Sequence, residues 1–255
     1  MVIPRLLLAL ICFYGALPLR AAAAEPWPLP PEAWFLDRIP PPCPPGSEED
    51  KKDLKESQYV QARATPEQVA HANATSNFSV FTFSEVLGTS FSEPAYPQTA
   101  AFFRRLEATA NGPKNFLKET FRRTRPFLAH PDTVRRLVPK EGGFSYPSGH
   151  ATRSRLYARV LGELAHSKRG ALLECGDQVA MDRVLGGMHY RNDILASWKL
   201  GDLIFQELMK EPEFIAALSN LTKAEWAARV PAASGATGAP SRQGFAACCS
   251  AARGN

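Results

Sequence analysis

Residues 148–209 read SGHATRSRLYARVLGELAHSKRGALLECGDQVAMDRVLGGMHYRNDILASWKLGDLIFQELM, and apolar positions recur every three to four residues almost throughout. That period belongs to a helix; a half-buried strand would alternate every second residue. The spacing predicts helices over roughly 148–165, 169–185 and 189–209, with Ser148 as a cap for the first and Gly186-Gly187 breaking the chain before the third. Working outward, 212–228 downstream and 96–111, 113–125 and 131–137 upstream read as further helices. Earlier still, Ser47 precedes an acidic first turn of Glu48, Glu49 and Asp50, and Thr65-Pro66-Glu67 sets a cap before a proline at the first helical position. Only 78–83 alternates in a strand-like way, and there is no repeat on the order of 20–50 residues. The expected fold is all-α, a single-domain bundle of seven or eight helices.

The chain has 255 residues, 45% apolar and 22% charged, which supports one substantial core and excludes a disordered or fibrous class. Thirty Lys+Arg against 25 Asp+Glu give a charge of +5, a pI near 9.0 and a mean hydropathy of −0.22. That hydropathy argues against a polytopic membrane protein. The mild, dispersed basicity favours small anionic ligands over nucleic acid. Residues 1–24 combine Arg5, a short apolar run and an alanine block ending at Ala24, the pattern of a cleaved secretory signal, so the mature chain is expected to be periplasmic or secreted. Residues 25–46 form a Pro-rich arm whose Trp27, Trp34, Phe35 and Leu36 should pack onto the body; the helical domain occupies 47–230, and 231–255 reads as a disordered tail. After loss of Cys12 the cysteines are Cys43, Cys175, Cys248 and Cys249, which allow three pairings, a Cys43 to Cys175 bridge among them. No Cys or His cluster has zinc-ligand spacing, so no metal is expected.

Three short blocks carry chemistry. The first runs Lys118-Glu119-Thr120-Phe121-Arg122-Arg123-Thr124-Arg125-Pro126; on a helix Lys118, Arg122 and Arg125 would share one face, which suits an anion opposite them but also an ordinary solvated face. The second is Ser145-Tyr146-Pro147-Ser148-Gly149-His150, where a Ser-Gly turn at a helix start offers free backbone N–H groups and the positive end of the dipole to an anion. The third is Arg183, His189 and Asp193: at four residues' separation on one helix, Asp193 reaches one ring nitrogen of His189 and leaves the other unprotonated. Asp193 favours the charged form of His189, and the surrounding cations disfavour it.

With all ten fixed positions present (Lys118, Arg125, Pro126; Pro147, Ser148, Gly149, His150; Arg183, His189, Asp193), the chain resembles the type 2 phosphatidic acid phosphatase superfamily, and within it the soluble, exported class A non-specific acid phosphatases. The resemblance extends over about 36–210. It departs from the pattern at Asp182, where a serine is usual and where a negative charge is expected beside the phosphate site, and at Arg122, Thr124 and Arg191-Asn192.

The resemblance implies a helical bundle of the acid phosphatase/vanadium haloperoxidase type and hydrolysis of phosphate monoesters through a phosphohistidine, without metal or other cofactor. His189 would be the nucleophile, Asp193 would orient it, and His150 would serve as general acid and base. Lys118, Arg125, Ser148, Gly149 and Arg183 would hold the phosphate. The expected partners are small phosphate monoesters rather than nucleic acid or an integral membrane; a homo-oligomer and phosphotransferase activity stay open. Two other readings compete: a vanadate-dependent haloperoxidase, and a non-enzymatic periplasmic phosphate-binding protein. His71, His130 and His166 read as surface residues, and Trp198 and Trp226 as core or interface rather than substrate-stacking groups.

Overall fold

A computed structural model describes residues 25–227 and Arg229, so the expected secretory signal, the expected tail and Cys248 and Cys249 lie outside the described residues. The helices are α1 (Glu32–Leu36), α2 (Glu48–Ala62), α3 (Pro66–Ala74), α4 (Ser84–Leu87), α5 (Pro97–Phe121), α6 (Pro126–Ala129), α7 (Gly149–Leu164), α8 (Arg169–Leu185), α9 (Arg191–Leu208) and α10 (Pro212–Leu221). No strand occurs among the described residues, and no helix there is long and apolar enough to cross a membrane.

The bundle is organised around α7, which is flanked by α8 and α9. Two glycines let the backbones approach. A Cβ on Gly176 of α8 would stand 2.8 Å from the Ser154 carbonyl oxygen, and one on Gly201 of α9 would stand 2.8 Å from that of Thr152. Leu156, Val160 and Leu161 of α7 are fully buried among Leu172, Val179, Leu200 and Ile204 from its neighbours. The N-terminal arm also packs down. Trp27 is buried between Phe102 and Phe214, with ring centroids 4.8 and 5.0 Å away, and its backbone N–H donates to Thr109 Oγ1 at 2.9 Å.

Several local expectations are corrected. The segments 96–111 and 113–125 are one helix that passes through Pro113, because Phe103, Leu106, Ala110, Pro113 and Leu117 continue a single buried stripe across the proline. Residues 131–137 are not helical. There the backbone of Arg135 exchanges hydrogen bonds with the Gln61 side chain, and Leu137 N–H donates to the Gly186 carbonyl. The strand-like 78–83 contains a 3₁₀ turn, Val80–Phe83. Cys43 and Cys175 are both free thiols; Cys175 is buried in α8, while Cys43 Sγ accepts from Asn192 Nδ2 at 3.0 Å.

After α10 the chain widens into a π turn, Thr222–Trp226, which supplies a cap for a distant helix. Glu225 accepts from the backbone N–H groups of Gln98 at 2.6 Å and Thr99 at 2.9 Å, and from Thr99 Oγ1 at 2.7 Å, closing the N-terminus of α5. Glu225→Ala should therefore lower unfolding stability by about 1–3 kcal/mol in urea titrations. A loss under about 0.5 kcal/mol, the range of an ordinary surface change, would refute that role.

Candidate active site

The turn after α8 sets the geometry. Gly187 has φ of +73°, and a Cβ there would meet the Arg135 carbonyl oxygen at 2.3 Å, so glycine is required. The turn folds Met188 and His189 back so that both backbone N–H groups donate to the Arg183 carbonyl, at 3.0 and 3.2 Å. His189 therefore precedes α9 rather than sharing a helix with Asp193, which corrects the expected helical pairing. Asp193 Oδ2 instead accepts from Tyr190 N–H at 2.9 Å and Ser145 Oγ at 2.5 Å, and it faces His189 Nδ1 at 3.5 Å.

The other ring nitrogen, Nε2, lies 3.0 Å from Arg125 Nη1. Guanidinium only donates, so this Nε2 is the unprotonated nitrogen and its lone pair faces the cation. His189 is 1% exposed. Burial, with Arg125 and Lys118 adding to it against the pull of Asp193, drives its pKa down to about 3. The opposing influences on His189 are thus resolved toward the neutral imidazole. Asp193 stays ionised near a pKa of about 2: burial opposes this, but the His189 ring 3.5 Å away and Arg123 outweigh it.

Lys118 and Arg125 meet, but not on one helix face. α5 ends at Phe121 and Arg122 adopts a left-handed conformation with φ of 46°, exposing its side chain beside Glu119, while Arg125 opens α6. Lys118 Nζ donates to the Phe144 carbonyl at 2.5 Å, and burial beside Arg125 lowers its pKa to about 7. Ser148, wholly buried, caps α7 by accepting from Ala151 N–H at 3.3 Å, which leaves the first-turn N–H groups of Gly149 and His150 without intrahelical acceptors. His150 Nε2 lies 3.1 Å from the Ser76 carbonyl oxygen, so Nε2 carries the proton and Nδ1 is left facing Glu141 at 3.5 Å. Burial and Arg183, with Glu141 opposing them, lower the His150 pKa to about 4. Arg183 donates to Ser76 Oγ at 3.1 Å and to Glu141 Oε1 at 2.5 Å.

Above these groups opens a cleft of about 490 Å³ lined by Lys114, Lys118, Arg125, Glu141, Gly149 and His150, among others. Arg183, Ser148, His189 and Asp193 are buried and do not line it. The cleft thus gathers cations, free helix N–H groups and the neutral imidazole of His150, with that of His189 behind Arg125, which suits it to an anion with several oxygens.

Sequence reasoning missed Arg123, Ser76, Ser145 and Glu141. Arg123 donates to Asp193 at 2.8 Å, Asp53 at 3.0 Å and Asp50 at 2.9 Å, and its guanidinium lies 3.8 Å from the Tyr190 ring centre. The signal for it was Asp50 and Asp53, spaced three apart on α2. Asp182 is a correction. It points away from the site, accepting from Thr75 Oγ1 at 2.7 Å and Gln178 Nε2 at 2.9 Å and lying 2.8 Å from His71 Nδ1. His71 is accordingly a half-buried partner rather than a plain surface residue, with its pKa lifted to about 9 chiefly by the Asp182 hydrogen bond.

Residues 106–211 match the PAP2 superfamily. Non-specific acid phosphatases of Salmonella typhi and Salmonella typhimurium are each 29% identical over 150 residues, covering 54% of this chain and 57% of theirs. The chain thus spans a little over half the length of these relatives. A transmembrane PAP2-type phosphatidylglycerolphosphate phosphatase from Bacillus subtilis superposes with a TM-score of 0.46 at 19% identity, covering 69% of this chain and 89% of its own. Every candidate residue from Lys118 to Asp193 lies within 106–211, the span that matches the PAP2 superfamily.

Proposed function

We propose that this protein is a phosphatase that hydrolyses phosphate monoesters through a covalent phosphohistidine at His189. The observation that carries the reading is the buried, neutral imidazole of His189, whose unprotonated Nε2 is held 3.0 Å from Arg125, a residue that lines a cationic cleft. The Nε2 lone pair attacks phosphorus, the ester P–O bond breaks, and the leaving oxygen takes a proton from Nδ1 of charged His150. In the second half, neutral His150 takes a proton from water; the resulting hydroxide displaces His189 from phosphorus, releasing inorganic phosphate and restoring both imidazoles. Lys118, Arg125, Arg183 and the N–H groups of Gly149 and His150 stabilise the charge that spreads over the phosphoryl oxygens. Asp193 holds the ring and balances the positive charge that His189 gains. These side chains supply the charge stabilisation themselves, so the proposed reaction needs no metal, and the signal-like pattern of residues 1–24 supports an exported compartment.

The test is turnover of p-nitrophenyl phosphate and glycerol 3-phosphate with chelator present. We expect chelator-resistant hydrolysis of both; phosphate binding without any turnover would sink the enzymatic reading. The pH dependence has a definite sign. Because the His150 pKa is lowered to about 4, its acid form thins out tenfold per pH unit above that value, whereas His189, lowered to about 3, stays neutral. On glycerol 3-phosphate, a poor leaving group, kcat/KM should rise as pH falls from 8 to 5, and His150→Gln should flatten the slope. A slope that survives in that variant would remove His150 as the acid.

A further inference from the structure

The cations of the phosphate site already donate to one short loop, residues 141–144. Lys118 Nζ donates to Phe144 O at 2.5 Å, Arg125 Nη2 and Nε donate to Gly142 O at 2.8 Å and Gly143 O at 3.0 Å, and Arg183 Nη2 donates to Glu141 Oε1 at 2.5 Å. The same Oε1 stands 3.5 Å from His150 Nδ1, and Oε2 stands 3.8 Å from Arg125 Nη2. Three stretches far apart in sequence thus converge on four consecutive residues. The side chain among them is a carboxylate, which has the charge sign and the acceptor oxygens of a phosphoryl group but one fewer oxygen and less charge.

We propose that Glu141 is a built-in competitor for substrate: its carboxylate occupies donors meant for phosphoryl oxygens, and binding exchanges one anion for the other. The inference rests on the phosphatase reading for the identity of the ligand. Two features separate this carboxylate from a structural one. First, Glu141 is 29% exposed, whereas Asp193 is fully buried, so Glu141 can turn out to water without opening the core. Second, Gly142, Gly143 and Phe144 hold the loop to Lys118 and Arg125 through backbone carbonyls alone, so the loop keeps its anchorage when the side chain leaves. Arg183, 0% exposed, would be left with a buried unpaired charge if Glu141 simply departed, which makes exchange the favourable route. Anion affinity at this site is therefore a difference between two anions. A carboxylate ligand gains little over Glu141, while a phosphoryl dianion brings more charge and more oxygens.

The test is calorimetric titration of inorganic phosphate into the wild type, Glu141→Gln, Glu141→Ala and Glu119→Gln at pH 7, after thermal melts establish that each is folded. Glu119 also lines the cleft but is exposed and pairs with Arg122, so it controls for loss of negative charge alone. Both Glu141 variants should bind phosphate about tenfold more tightly, the worth of about one charge-assisted hydrogen bond, while Glu119→Gln stays within about twofold. KM for p-nitrophenyl phosphate should fall in parallel. Unchanged or weaker phosphate binding in the Glu141 variants, with the wild type binding normally, overturns the competitor role and leaves the phosphatase reading intact. If none of the four proteins binds phosphate, both fall together.

Discussion

His189→Ala is expected to abolish phosphate ester turnover, by at least about 10⁴-fold in kcat, because it removes the atom that forms the covalent bond rather than one that assists it. The surroundings make the expectation sharp. The imidazole is 1% exposed and its Nε2 lies 3.0 Å from Arg125, so water entering the cavity would lack both the fixed aim and the basicity of the ring. His189→Gln fills more of the space and should be equally inactive, which separates lost chemistry from a collapsed pocket. Wild type given a radiolabelled phosphate ester and quenched in alkaline detergent should carry acid-labile, base-stable label, and neither variant should. Residual turnover within about 100-fold of wild type in folded His189→Ala, short of the loss expected for a nucleophile, would rule out covalent catalysis at this residue.

Arg123→Met should destabilise the fold by about 3–5 kcal/mol, the cost of removing one partner from a buried ionic cluster. The guanidinium is 8% exposed and bridges Asp50, Asp53 and Asp193, of which Asp53 and Asp193 are 1% and 0% exposed. Without it, two buried carboxylates face one another across the junction of α2 and α9 with no cation between them. Arg123→Lys should recover only part of the loss, because an ammonium cannot reach three carboxylates in the geometry of a planar fork. Urea denaturation measures both, and a loss below about 1 kcal/mol for the methionine variant, no more than a surface pair is worth, would show that the cluster relaxes or admits water. The same residue ties stability to the proposed chemistry, since Asp193 is the carboxylate that faces His189.

The all-α fold was legible because its helices keep their apolar period and carry explicit caps at Ser47, Thr65 and Ser148. What misled was local: Gly112-Pro113 reads as a break, yet the buried stripe through Leu106, Ala110 and Leu117 overrides it. The blocks around Lys118, Ser148 and His189 were legible from charge and spacing, and the structure draws them to one cleft and its floor. Arg123 and Glu141 were not, since each acts through partners tens of residues away, at Asp53 and Arg183, that only the fold brings near. Asp182 shows the converse. Its place beside Arg183 in sequence says nothing of direction, and the helix turns it to the opposite side, toward His71.

The carboxylate that closes the start of α5 comes from residue 225, some 126 to 127 positions after the amides it binds. A ribosome therefore finishes every candidate site residue, Lys118 through Asp193, before the helix bearing Lys118 receives its cap. A nascent chain halted at residue 220 would contain the whole reactive constellation and still lack the group that secures its longest support.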